Sequence, residues 1–168
     1  MQLQALAEAA KSGNPEAQFE LAEAYSSGFN VSKDLEQAVI WYEKAARAGH
    51  AEAQFKLAQM YFQGRGVIQN VAEAAKWFEC AGEEGHREAQ YNVGLIYENG
   101  VGKDIDLMRA AEWYLRAAGQ GHCDASFNLA LLFHQGRGLP QDMMRAVQFY
   151  AQSADKGHAQ AQFNLALI

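Results

Sequence analysis

The sequence consists of one segment of 36 residues that is repeated without insertion or deletion. Glycine marks the start of each copy, at Gly13, Gly49, Gly85, Gly121 and Gly157. An alanine stands four places after each of these glycines, and an aromatic residue stands two places further on. A fixed period of roughly 20–50 residues is the signature of a repeat architecture, in which each copy stacks on the next. This period limits the fold more than any other feature of the chain.

Each complete copy predicts two antiparallel helices, which we name helix A and helix B. In the second copy, apolar residues such as Ala53 and Leu57 recur at helical spacing and predict helix A from His50 to about Gln63. Helix B is predicted to begin after a residue whose side chain can cap a helix, namely Asp34, Asn70, Asp106 or Asp142. Glu73 follows Asn70 at the spacing of a capping box. Helix B is predicted to end at the glycine that starts the next copy.

The aromatic residues predict the core. Nearly all of them fall in four columns of the repeat, beside small residues such as Ala45 and Ala46. This pairing favours a packed interior over a stacking platform for nucleic acid or sugar. Because a single helix pair cannot bury both of its faces, the copies are predicted to stack into an all-α solenoid. We expect one domain over residues 1–168, with partial copies at 1–12 and 157–168 and complete copies at 13–48, 49–84, 85–120 and 121–156.

The pattern Gly-His-x-Glu-Ala-Gln-Phe-Asn-Leu-Ala, followed by Tyr, two glycines, Asp, Ala and Trp-Tyr, resembles the Sel-one-like repeat family, a relative of the tetratricopeptide repeat. The first copy departs most, with Asn14 in place of His and Asn30 in place of Gly. The resemblance implies a right-handed α-α superhelix whose A helices line a concave face, and adaptor work in bacterial proteins. A cysteine-rich branch of the family is linked to β-lactam binding. Its disulfide pattern is absent here, because Cys80 and Cys123 occupy different positions of the repeat.

Composition excludes several classes of protein. The net charge of −6 argues against binding to a phosphate backbone, and 49% hydrophobic residues argue against disorder. Two cysteines do not make a disulfide scaffold. No apolar run approaches the roughly 20 residues that a membrane span needs, and the first residues do not have the pattern of a signal peptide. The compartment stays open between the cytoplasm and a periplasmic or secreted location with a signal peptide removed.

The chain offers few candidates for catalysis or metal binding. Copies of a repeat lie about 10 Å apart, whereas metal ligands converge within about 2 Å of one ion. We therefore expect turn or cap roles, and no metal site, for the histidine column of His50, His86, His122 and His158. The Gly-Arg-Gly turns around Arg65 and Arg137 lack the preceding strand of a phosphate-binding loop. With no nucleophile placed beside a base, we predict no enzyme and no cofactor.

The positions that vary between copies predict a binding surface on helix A. Four positions per helix share a stripe outside the apolar arc, acidic near the start of the helix and amphipathic further along. In related tetratricopeptide grooves, Asn at the matching place holds a peptide, since an amide both donates and accepts. The alternative is that these Asn bridge adjacent A helices. The predicted groove consists of Glu52, Lys56, Gln63, Glu88, Asn92, Leu95, Asn99, Asp124, Asn128, Leu131, Gln135 and Asn164.

The sequence thus predicts a protein–protein interaction scaffold that binds a protein or peptide on its A helices. The acidic stripe favours a basic or amphipathic partner and does not favour nucleic acid. The second hypothesis is a structural spacer or oligomerisation module of a longer array. It rests on the apolar segment from Phe163 to Ile168, which no helix B follows in this sequence and which an end-to-end contact would cover.

Overall fold

The structure, a computed structural model, describes residues 2–168 and the side chains of residues 3–168. Over this range it contains ten α-helices and no β-strand, which confirms the predicted all-α fold. In chain order the helices are α1 (Gln2–Lys11), α2 (Pro15–Ser27), α3 (Leu35–Arg47), α4 (Ala51–Gln63), α5 (Val71–Glu83), α6 (Arg87–Asn99), α7 (Leu107–Gly119), α8 (Cys123–Gln135), α9 (Met143–Ala154) and α10 (Ala159–Ala166).

The helices form the pairs that the repeat predicts. Helices α2, α4, α6 and α8 are A helices, and each packs on the B helix that follows it, α3, α5, α7 or α9. Helix α1 is a further B helix and α10 a further A helix. The contacts divide the chain into two compact units, which we describe separately. Unit 1 ends at His86 and holds α1 to α5, and unit 2 begins at Arg87 and holds α6 to α10.

The B helices begin at the predicted caps. The side-chain oxygens of the four cap residues each accept the backbone N–H three residues further on, at 2.9–3.0 Å, in Asp34, Asn70, Asp106 and Asp142. Each cap of this kind contributes about 1 kcal/mol. The capping box predicted at Asn70 is wrong in its second half. The Asn70 N–H donates to the Tyr61 carbonyl, so the Glu73 carboxylate accepts from Lys76 instead.

Glycines that recur at fixed positions of the repeat end the helices and form the turns between them. Twelve of them have φ between +65° and +95°, the left-handed region that costs other residues about 1–2 kcal/mol, namely Gly13, Gly28, Gly49, Gly64, Gly66, Gly85, Gly100, Gly102, Gly121, Gly136, Gly138 and Gly157. At the end of α3, the Gly49 N–H donates to the Ala46 carbonyl and the His50 N–H donates to the Ala45 carbonyl, which is the Schellman pattern. Asn30, which replaces glycine in the first copy, adopts φ of 60°.

The aromatic columns fill the core, as predicted. Tyr42, Tyr114 and Tyr150 are at most 2% exposed, and each buried ring of this size contributes about 1.5–3 kcal/mol. Phe163 is 58% exposed, in agreement with its place in an apolar segment that no helix B follows in this sequence. Its counterpart Phe127 packs against Tyr150 and His158, whereas the sequence has no residues at the matching positions after Phe163.

A column of glutamines ties helices α2, α4 and α10 to the B helix that precedes each of them. The side-chain amides of Gln18, Gln54 and Gln162 donate at 3.1 Å to the carbonyls of Ala10, Ala46 and Ala154. The fourth copy has Ser126 in this column, and there Gln152 of α9 donates to the equivalent carbonyl, that of Ala118, at 2.7 Å. No role for this column was predicted from the sequence, although Gln at a fixed, buried helix position indicates a side-chain hydrogen bond.

Candidate partner-binding surface

The histidine column fixes where the A helices begin. Nδ1 of His50, His122 and His158 accepts the backbone N–H of Ala53, Ala125 and Ala161 at 3.1–3.3 Å. Asn14 plays the same part for α2, where its side chain accepts from the Ala17 N–H at 3.0 Å. The predicted cap role is therefore confirmed for these histidines, and it explains why Asn is tolerated in the first copy.

Each histidine also binds the helix A of the copy before it. His Nε2 lies 2.9–3.5 Å from a carboxylate oxygen in the pairs His50–Glu16, His86–Glu52, His122–Glu88 and His158–Asp124. The imidazole rings stack on the preceding aromatic residue with centroids 4.3–4.6 Å apart, on Phe19, Phe55, Tyr91 and Phe127. Because Nδ1 of His50 and His122 accepts the cap hydrogen bond, the Nε2–H group of each donates to the carboxylate, that of Glu16 or Glu88.

The acidic part of the predicted groove consists of these same carboxylates. Glu52 and Glu88 keep 42% and 44% of their side chains exposed, and Asp124 keeps 55%. Burial acts to raise the pKa of Glu88, but hydrogen bonds and charge from Arg87 and His122 outweigh it and hold that pKa below its ordinary value. The carboxylates thus anchor the next copy and still present an acidic edge to solvent.

The asparagine column is divided in its roles. Asn128 lies near the hydroxyls of Tyr91 on α6 and Tyr114 on α7, where its amide acts to lower their pKa against the larger effect of burial. Asn92 instead donates to the Glu88 carbonyl of its own helix at 2.7 Å. Asn164 contacts Tyr150 and accepts from Gln160 at 3.1 Å. Asn92 and Asn164 therefore form hydrogen bonds within their own helices, and a bridging role for Asn128 stays a prediction.

The amphipathic part of the predicted groove lies along a depression in unit 2. Leu131, Gln135 and Asn164 line it together with His134 and Tyr150, and its volume is about 690 Å³. Leu95 and Leu131 are both half-buried. Asn99 is exposed and donates to the Leu95 carbonyl at 2.9 Å. The structure thus brings the predicted residues near the carboxyl end of α8 together with Asn164 of α10.

The predicted residues of unit 1 lie beside a smaller and more polar depression. Its volume is about 120 Å³, and Lys56, Gln63, Arg65 and Tyr42 are among the residues that line it. Lys56 Nζ lies 3.8 Å from the Glu52 carboxylate one turn earlier on α4. Exposed ion pairs of this kind contribute well under 1 kcal/mol, so Lys56 would lose little free energy by leaving Glu52 for a carboxylate of another molecule.

Tyrosine hydroxyls behind this surface bind carboxylates that the sequence analysis left without a role. Tyr114 donates to Glu98 at 2.6 Å in unit 2, and Tyr42 donates to Glu23 in unit 1. Burial and then the carboxylate raise the pKa of both hydroxyls well above the ordinary value. The sequence did contain a signal for these hydrogen bonds, because Tyr in place of Phe at a buried position indicates that the hydroxyl has a partner.

Within the described part of the chain, the structure shows no group of three or more His, Cys, Asp or Glu residues placed to hold a metal ion. No helix from residue 2 onward is long and apolar enough to cross a membrane. Cys80 and Cys123 are both free thiols, as expected from their different positions in the repeat.

Comparison with known proteins identifies the repeat. The Sel1 repeat profile matches residues 15–50, 51–86, 87–122 and 123–158, two residues later than the boundaries read from the glycines. The chain therefore belongs to the Sel1 repeat family, whose members commonly act as protein–protein interaction scaffolds and are generally not enzymes. None of the curated proteins matches the chain significantly.

Solved structures of bacterial proteins share the fold. The protective antigen c5321 of uropathogenic Escherichia coli, which displays an SLR fold, is 37% identical over 96% of this chain, with a TM-score of 0.89. A Sel1 repeat protein from Oxalobacter formigenes is 39% identical over 92% of this chain, with a TM-score of 0.88. Helicobacter pylori cysteine rich protein B is 25% identical over 82% of this chain and 99% of its own, with a TM-score of 0.61. The chain spans 34% and 64% of the length of the first two.

Proposed function

We propose that the A-helix surface of unit 2 binds a peptide segment of a partner protein. The observation that carries this proposal is that Leu95 of α6 and Leu131 of α8 are only half-buried, with the polar side chains of Asn99 and Gln135 one turn further along the same helices. Apolar side chains with a few polar groups around them are the usual composition of a recognition site. Scaffold activity in the Sel1 repeat family supports the same conclusion.

Comparison of equivalent positions supports a role for the two leucines in binding. The position of Leu95 and Leu131 in the repeat is occupied by Glu23 and Gln59 in unit 1. The helix pair therefore folds with a polar residue at this place, and packing alone does not demand leucine. A half-exposed leucine at such a position gains free energy when a partner covers it.

The charge beside the leucines favours a partner with basic or amphipathic character. Glu88 and Asp124 present partly exposed carboxylates at the start of α6 and α8. Each is already paired with a histidine of the next copy, so a basic residue of the partner would add to an existing pair instead of replacing it. Such rim charges act more on the association rate and on orientation than on the affinity itself.

The test uses the residue that unit 1 supplies at the same position. Peptides selected from a displayed library against the intact chain are measured by fluorescence anisotropy on the wild type and on the double variant Leu95→Gln with Leu131→Gln. We expect the double variant to bind roughly tenfold more weakly or worse, because hot-spot side chains each contribute more than about 1 kcal/mol.

The matched control is Ile40→Gln, which makes the same kind of change at an exposed residue of α3. Ile40→Gln is expected to leave the affinity unchanged. Equal affinity of the selected peptides for the wild type and the double variant would overturn the proposal, provided that circular dichroism shows both to be folded.

A further inference from the structure

We propose that Asn99 and Gly100 form a site of spontaneous chemical modification, at which the side-chain amide of Asn99 becomes a carboxylate and weakens the end of α6. Asn99 is the last residue of that helix and is exposed to solvent, and Gly100 follows it with φ of 70°. The reaction needs only water and the peptide bond between these two residues. The modification itself does not depend on peptide binding.

Asn99 is the only asparagine in the sequence that precedes glycine. The other six precede valine, leucine or proline, at Asn14, Asn30, Asn70, Asn92, Asn128 and Asn164. A backbone nitrogen can attack the side-chain amide of the asparagine before it. Valine and leucine shield that nitrogen with their side chains and proline has no N–H, whereas glycine presents neither obstacle. The sequence therefore favours this reaction at Asn99.

Two steps convert the amide into a carboxylate. In the first step, the backbone nitrogen of Gly100 loses its proton and bonds to Cγ of Asn99, the Cγ–Nδ2 bond breaks, and the amide nitrogen takes up a proton and leaves as ammonia. The product is a succinimide ring. In the second step, one water molecule adds to a carbonyl carbon of the ring and breaks the bond from that carbon to the nitrogen. Opening at Cγ gives aspartate, and opening at the backbone carbonyl gives isoaspartate, in which the chain continues through the side chain.

The end of α6 is where the backbone can reach the geometry that this reaction needs. A regular helix holds the next backbone nitrogen away from the side-chain amide, but the last residues of a helix fray. In the closed helix, the Asn99 amide donates to the Leu95 carbonyl at 2.9 Å, one turn back. A single exposed hydrogen bond of this kind is weak in water. The site is therefore protected while the last turn is closed and reactive when it frays.

The other complete copies have no asparagine at this place. The residues before the equivalent glycines are Ser27, Gln63 and Gln135. Serine has no amide, and glutamine would have to close a larger ring, which forms more slowly. Gly64 and Gly136 have φ of 67° and 65°, so both glutamines stand at helix ends of the same kind. The wild-type chain thus supplies its own matched controls.

The product is less compatible with the end of α6 than asparagine is. A carboxylate cannot donate to the Leu95 carbonyl, and it places a negative charge at the C-terminal end of a helix, where the helix dipole opposes it. Glu98, the preceding residue, accepts from the Tyr114 hydroxyl of α7 at 2.6 Å, so a loosened last turn also weakens this contact. The reaction changes the polar group one turn beyond Leu95 as well, and that consequence for binding rests on the proposed function.

Peptide mapping of the intact chain tests the modification. Fresh protein is incubated for several weeks at physiological temperature in a mildly alkaline buffer made with water enriched in heavy oxygen, and is then digested with trypsin in ordinary water. Cleavage after Arg87 and after Lys103 releases one peptide that contains both Asn92 and Asn99. Mass spectrometry is expected to show that Asn99 gains heavy oxygen, as aspartate and isoaspartate, at least several times faster than Asn92, while Gln63 and Gln135 stay unmodified.

Two outcomes would overturn the modification site. One is that Asn99 gains no heavy oxygen over a period in which a free synthetic peptide of the same residues is converted, because the folded helix then blocks the reaction. The other is an equal gain at Asn92 and Asn99, because the glycine then has no effect on where the reaction occurs.

Two variants test the effect on α6 without incubation. Asn99→Asp supplies the direct product, and Asn99→Gln supplies the residue of the second and fourth copies. The thermal midpoint of Asn99→Asp is expected to lie a few degrees below that of Asn99→Gln, because only aspartate places a charge at the helix end. Equal midpoints would overturn the weakening of α6. None of these measurements uses a peptide partner, so failure of this proposal and failure of the proposed function are distinguishable.

Discussion

At the residue scale, the glycines of the repeat differ in what their missing side chain permits. Gly49 and Gly66 both have positive φ, at 87° and 70°. A Cβ added at Gly49 would meet no atom within 4 Å, whereas at Gly66 it would lie 2.6 Å from the carbonyl carbon of Leu35. Gly49 is therefore required only for its backbone conformation, and Gly66 also for the close approach of the start of α3.

This contrast gives a matched pair of variants in unit 1. Gly49→Ala is expected to lower the free energy of unfolding by about 1 kcal/mol, the strain of one alanine in the left-handed region. Gly66→Ala is expected to cost about 3 kcal/mol or more, because the backbone of Leu35 must also move. Urea unfolding followed by circular dichroism measures both. Equal losses would contradict the close approach at Gly66.

The two substitutions in the first copy show how far single residues could be predicted. Asn14 and Asn30 looked like departures from the pattern, yet one caps α2 and the other adopts φ of 60°. Both follow from the chemistry of asparagine, which caps helices and tolerates the left-handed region. The pairing of His50 with Glu16 could not be predicted in this way, because one must first know which side of each helix faces the neighbouring helix.

At the scale of the element, helix α8 begins at a residue with three separate contacts. His122 accepts from the Ala125 N–H, donates to Glu88 at 2.9 Å and stacks on Tyr91. It is 8% exposed, whereas the Glu88 side chain is 44% exposed. We therefore assign most of the stabilisation to the cap and the stack, and less to the hydrogen bond with the partly exposed Glu88 carboxylate.

Two variants of His122 separate these contributions. His122→Asn keeps the cap, as Asn14 does for α2, and is expected to cost about 1 kcal/mol through the lost stack and hydrogen bond. His122→Ala also removes the cap and is expected to cost about 2 kcal/mol. Thermal unfolding and urea unfolding check the difference. If the two variants are equally stable, Nδ1 of His122 does not act as a cap.

The elements themselves were largely predictable, because their ends carry local signals. Asp142 and Gly121 mark the start of α9 and the end of α7 within a residue or two. A cleft of about 390 Å³ that Phe149 lines was not predictable, because its volume depends on how the side chains of three helices, α7, α8 and α9, pack together. Periodicity identifies the residues that all copies share, while a site arises from the places where one copy differs.

At the scale of the whole molecule, buried tyrosines are spread through both units. Burial raises the pKa of every hydroxyl in this group above the ordinary value, in Tyr42, Tyr61, Tyr91, Tyr114 and Tyr150. The folded protein therefore favours the protonated phenols more than the unfolded chain does. The stability that they contribute is complete below the ordinary value of about 10 and declines as the pH rises toward the raised values.

Alkaline unfolding tests this distribution. We expect the urea midpoint of the wild type to fall as the pH rises from about 8 to about 11, and that of Tyr114→Phe to fall less steeply. At about pH 8 the free energy of unfolding of the variant is expected to be about 1 kcal/mol below that of the wild type, because the variant loses the hydrogen bond that Tyr114 donates to Glu98 at 2.6 Å. The difference between the two slopes removes the contribution of lysines, which both proteins share. Parallel slopes would exclude Tyr114 as a source of the alkaline sensitivity.

The exchange of hydrogen-bond donors at the Ala118 carbonyl means that the copies are not interchangeable parts. The Ser126 hydroxyl donates to the His122 carbonyl, and Gln152 supplies the donor to the Ala118 carbonyl that Gln supplies in other copies. Moving helix α8 into another copy without α9 would leave a carbonyl without a side-chain donor. Restoring Gln at position 126 alone would bring two amides to one acceptor. Anyone who designs arrays from this chain should therefore transplant the fourth copy as a whole, or change both residues together.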